Sequence, residues 1–111
     1  MCLPEKVFCG IFAFDILYDA KKHKEEEENR MENIYGLTRK DLLEIVIDPS
    51  LPIQHKQSTL FHEIIHASLI HADFDEETEE KVAIAMESSL YFMLRDSRNK
   101  EVVKFLFDDF D

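Results

Sequence analysis

The sequence predicts a single α+β domain spanning residues 1–111, and three observations carry that expectation. Runs rich in β-branched and aromatic residues fall in the first half. Long apolar segments without glycine fall beyond Pro52, and the two kinds of pattern do not alternate. At 111 residues there is room for one small hydrophobic core, and a 45% apolar composition with 9 Phe is enough to fill it. The chain carries no internal repeat.

Taken in order, residues 7–18 (VFCGIFAFDILY) read as one or two strands, with Gly10 as a bulge or turn. Residues 21–30 are a charge run with no apolar stripe. They read as a solvated face or mobile connection, in which pairs such as Lys21 and Glu25 support at most a frayed helix. Asn33-Ile34-Tyr35-Gly36 signals a turn, and residues 42–48 (LLEIVID) form a short strand stopped by Pro49. Three helices follow, over residues 53–72, 76–95 and 99–107, with Asp75 as N-cap of the second and acidic residues crowding its first turn.

Composition narrows the function classes. With 24 acidic against 13 basic residues the formal net charge is −11, which argues against a nucleic-acid partner, because such affinity comes from Lys and Arg displacing counterions. No run approaches the roughly 18 apolar residues of a membrane span. Met1-Cys2-Leu3-Pro4-Glu5 lacks a signal-peptide layout, so a cytoplasmic protein without a membrane partner is expected. Cys2 and Cys9 form no CxxC pair and read as ordinary reduced thiols.

The chemistry lies in His62-Glu63-Ile64-Ile65-His66, an HExxH motif. With 5 His and 14 Glu in the chain, shuffling would produce it about 0.03 times, so context must add weight. Between Leu60 and Ala72 the helix is apolar nearly all round, and His62, Glu63, His66 and Ser68 are the polar exceptions in its middle. On a helix the two imidazoles stand one turn apart on one face, where both can bind one tetrahedral Zn²⁺. Glu63 beside the metal can take a proton from an acidified water. The competing reading is two hydrogen-bonded core histidines beside an unrelated Glu.

A catalytic zinc has three protein ligands as a rule. Glu87 is the expected third, because it is the only charged residue between Val82 and Leu94, and a hairpin turning near residue 74 or 75 sets residue 64 opposite 84–86. A buried acid paired to an Arg or to His66 without metal is the other reading of Glu87. Glu79 and Glu80 are runners-up that read more simply as a solvated helix start. His71 points some 140° away from His66 around the helix axis. His23 and His55 are expected at the surface, His55 lining a cleft, and Tyr91 reads as a core aromatic that could serve as an oxyanion donor.

At these residues the sequence resembles the minimal zincins of the ImmA/IrrE-like kind, especially short phage-encoded members. The resemblance rests on Glu44-Ile45-Val46-Ile47-Asp48-Pro49-Ser50-Leu51 ahead of the HEIIH helix and on the stretch from Glu79 to Asp96, and covers residues 42–97. It implies a gluzincin-type zinc metallopeptidase acting on a protein or peptide substrate, regulatory proteins among them. His62 and His66 would be ligands, Glu63 the general base, and a carboxylate of the next helix the third ligand. Here the further His falls five residues after the motif, at His71, where such proteins often place one four after. Two rival expectations stand beside the enzyme: a catalytically inactive zincin-fold binding or regulatory module with structural or no zinc, and a self-inhibited form in which the acidic tail, residues 107–111, reaches the metal.

Overall fold

Gly10, at φ +63°, occupies the first position of a two-residue turn where the twist of a β-hairpin requires a positive φ. It joins β1 (Lys6–Cys9) to β2 (Phe12–Leu17), paired antiparallel with Cys9 opposite Phe12. The remaining strands are β3 (Gly36–Arg39) and β4 (Glu44–Ile47), and the mixed sheet has the order β1-β2-β4-β3, with β2 and β4 parallel and β3 antiparallel to β4 at the edge. This computed structural model, which describes residues 2–108, is therefore α+β as the sequence predicts. β4 is the central buried strand: Ile45, Val46 and Ile47 are all fully buried, which explains a continuous apolar run where a half-exposed strand would alternate. Phe14, Ile16, Ile45, Ile47, Leu51 and Ala67 form the core.

The charge run departs from expectation. Residues Ala20–Arg30 form a regular helix, α1, because Asp19 caps it by accepting from the amides of Lys21 and Lys22, and Met31 ends it in the left-handed region at φ 56°. His23, expected at the surface, is buried and meets the Ile34 carbonyl at 2.7 Å, while the Glu27 carboxylate accepts from the Ile34 amide. Glu26 meets Arg39 at 3.0 Å. The helix is thus a strap that pins the approach to β3.

Helix α2 covers Ile53–Ser68, four residues shorter than expected at its C-terminal end. Helix α3 (Glu76–Met86) starts at Asp75 as expected, whose carboxylate accepts from the Thr78 amide. It runs without a break through a π-helical turn (Glu87–Tyr91) into α4 (Phe92–Arg95). The widened turn begins where Ser88 and Ser89 donate back to the Ala85 carbonyl, a competition that deforms helices locally. A 3₁₀ turn (Ser97–Asn99) leads to α5 (Lys100–Phe107). Among the described residues no helix is long and apolar enough to cross a membrane.

Candidate metal centre

The site forms where α2 and α3 pack as a hairpin beneath the edge strand β3. Its floor is Glu63, which is buried. Gly36 lets β3 approach this close, since a Cβ there would lie 2.7 Å from Thr59 Cγ2 and 3.2 Å from Glu63 Cγ. Two residues along the strand, Thr38 Oγ1 stands 2.9 Å from the Glu63 carbonyl and 2.8 Å from its Oε1, so the hydroxyl proton ties the strand to the helix and to the carboxylate at once.

The two imidazoles of the motif lie 5.1 Å apart between ring centroids, tilted by 59° to one another. The outer Nδ1 of each lies against a carboxylate: that of His62 against Glu87 Oε2 at 2.8 Å, that of His66 against Glu79 Oε2 at 2.6 Å. Each therefore turns Nε2 inward, and both inward nitrogens face one atom, Glu80 Oε1, at 2.7 Å from His62 and 3.5 Å from His66. His62, His66 and Glu80 make the one group among the described residues whose potential ligand atoms lie close enough to hold a metal ion, all within 4.8 Å of one another.

The structure groups Glu80, and not the expected Glu87, with the inward nitrogens of the two imidazoles. Glu87 lies against the outer nitrogen of His62, and Glu80 takes the place between the rings. The cause is hairpin register: with α2 ending at Ser68 and α3 starting at Glu76, the halfway point is residue 72, and residue 64 then faces residue 80. Glu79, expected in solvent, is buried, with its second oxygen bound by Lys40.

Electrostatics follow from the packing. Burial depresses the His62 imidazole, but the Glu87 hydrogen bond and the charges of Glu63, Glu80 and Glu87 outweigh it and hold the pKa above the ordinary 6.5. Burial pushes the Glu63 carboxyl up, against the pull of Thr38 and both imidazoles. Glu79 stays below the ordinary carboxylate range: burial raises it, yet the hydrogen bonds from Lys40 and His66 lower it further.

Clefts open on both sides of Glu63 and Glu80. One is lined by Tyr35, His55, Thr59, His62 and Glu87, so His55 does line a cleft, edge-on to Tyr35 at 4.3 Å. The other is lined by Thr38, Lys40, His66 and Glu79. Tyr91 faces away, against Phe61 at 5.0 Å, and accepts from Arg95; it borders an apolar cleft with Leu60 and Ile64. His71 packs on Phe12. Residues 109–111 of the acidic tail lie outside the described residues.

Comparison with protein-family models, with curated proteins and with solved structures finds no match for this chain. The site must be read from its own geometry. Sequence reasoning found His62, Glu63 and His66, weighed Glu80 without choosing it, and missed Thr38 and Lys40, which carry no local pattern.

Proposed function

We propose that the chain is a zinc-dependent peptidase of the minimal zincin kind, hydrolysing a peptide bond in a protein or peptide substrate. His62, His66 and Glu80 would hold the metal and Glu63 would act as general base. The observation that carries this reading is the convergence of the imidazoles: Nδ1 of each is backed by a carboxylate, and both Nε2 atoms turn toward one oxygen of Glu80. Two nitrogens and one carboxylate oxygen suit zinc and leave a fourth position for water or substrate. Zinc bound there supplies a Lewis acid that polarises a carbonyl and acidifies water.

The chain's own residues account for the rest. Thr38 fixes Oε1 of Glu63, leaving the other carboxylate oxygen to take a proton from water and pass it to the departing amine nitrogen. Burial of that carboxylate keeps it poised as a base by withholding bulk solvent. The clefts flanking Glu63 give an extended polypeptide room on either side.

A second reading, the inactive module with structural or no zinc, is favoured by one observation: all four ring nitrogens lie within 3.5 Å of a carboxylate oxygen, so the cluster is satisfied without metal. Elemental analysis of protein purified without a metal-affinity tag, beside digestion of a denatured protein substrate followed by mass spectrometry, separates the two. The enzyme reading expects near-stoichiometric zinc and cleavage in the parent, and in Glu63→Gln retained zinc with cleavage reduced by at least about 100-fold. Zinc without cleavage in the parent, or no zinc, favours the module.

A further inference from the structure

Three glutamates of one helical stretch, Glu79, Glu80 and Glu87, surround two imidazoles, and only one of them sits between the rings. Something must keep the others out. For Glu87 the constraint is its outward place at the π-helical turn. For Glu79, adjacent in sequence to Glu80, it is Lys40.

We propose that Lys40 is a positioning residue: by engaging Oε1 of Glu79 it holds that carboxylate as the acceptor of His66 Nδ1–H, and so keeps His66 presenting Nε2 to the site. The consequence for metal binding rests on the zinc reading, but the control of the His66 tautomer does not. Both oxygens of Glu79 are occupied, one by the Lys40 ammonium and the other by His66 at 2.6 Å. The Glu79 side chain is 9% exposed, so it depends more on a cation partner than Glu87, which at 32% exposed has more solvent about it. Lys40 is the only Lys or Arg that contacts any of Glu63, Glu79, Glu80 and Glu87 among the described residues. Without it Glu79 would keep the His66 imidazole as its single polar partner among the described residues.

Lys40 is itself held in place. It follows directly on β3, two residues from Thr38, and the neighbouring Arg39 is anchored by Glu26 of α1 at 3.0 Å. One edge strand thus sets Glu63 through Thr38 and His66 through Lys40 and Glu79. Zinc-site histidines backed by such a carboxylate lose about 10–100-fold in metal affinity when the backing is removed.

The test is long-range ¹H–¹⁵N NMR of the imidazoles in the chelator-treated, metal-free full chain in alkaline buffer, on the parent, Lys40→Met and Lys40→Arg, with zinc affinity by chelator competition alongside. The parent and Lys40→Arg should show His66 as the Nδ1–H tautomer. Lys40→Met should lose that preference and bind zinc about 10–100-fold more weakly. A parent-like His66 spectrum in Lys40→Met overturns the proposal. If Lys40→Met does not fold, Lys40→Gln decides: loss of the Nδ1–H tautomer supports the proposal, and a parent-like spectrum overturns it. A parent that binds no zinc but shows the tautomer change sinks the zinc reading alone.

Discussion

His62 and His66 are the same residue type one turn apart on one helix, yet the two ends of the cluster are built differently. His66 is backed by a buried Glu79 whose charge Lys40 balances. His62 is backed by a half-exposed Glu87 at an irregular helical turn and opens onto the cleft shared with His55 and Tyr35. One end is fixed by the sheet, through β3; the other is set by a helix alone. The comparison teaches that an HExxH helix presents two imidazoles of equal chemistry, while the surrounding fold decides which is rigid and which responds to its surroundings.

The largest test of this asymmetry sets Glu80 against Glu87. Glu80→Ala removes the oxygen facing both Nε2 atoms and should abolish stoichiometric zinc, whereas Glu87→Ala should weaken zinc by only about 10–100-fold, both read by chelator competition. Zinc kept by Glu80→Ala and lost by Glu87→Ala would reverse the two roles and restore the expectation drawn from the sequence.

That reversal shows where sequence reading stops. The HExxH helix is legible because three polar residues interrupt an otherwise apolar surface, a pattern local to α2. Which carboxylate faces the inward ring nitrogens depends on where α2 ends, and no residue between Leu69 and Ala72 signals a stop, so a four-residue difference at one helix end brings Glu80 opposite the motif where Glu87 is expected. β3 was invisible for a related reason: Gly36-Leu37-Thr38-Arg39 has no alternating apolar face, and the strand exists by pairing with β4. His23 hid in a charge run because its partner, the Ile34 carbonyl, is eleven residues away.

A smaller effect should come from the sheet side. Thr38→Val keeps the shape of the side chain but leaves two acceptors of a buried Glu63 without their donor, at a cost of about 1–3 kcal/mol by denaturant unfolding. On the proposed function it should also slow cleavage while zinc content stays unchanged, and Thr38→Ser, which keeps the hydroxyl, should recover most of both. Equal stability of the Val and Ser variants would show that β3 does not anchor this end through Thr38.

The smallest effect, and the one most specific to the responsive end, is the pH dependence of the metal-free chain. His62 has its folded pKa raised above 6.5, so the protonated ring contributes stability that is fully present below pH 6.5 and is lost as pH rises through the folded value. Glu63, raised from 4.5, acts with the same sign, its contribution being lost as pH rises through its own folded value, whereas Glu79 is lowered from 4.5 and stabilises the fold above that value. Between pH 6 and pH 8.5 the His62 contribution is being removed, together with whatever part of the Glu63 contribution is still present, and thermal unfolding should move down across this interval. His62→Gln should flatten the slope. Zinc should invert it in the parent, because ligation requires the neutral imidazole and so strengthens with pH. A metal-free parent whose melting temperature rises across the same interval would show that the carboxylates around His62 do not hold its proton, and would remove the asymmetry between the two ends.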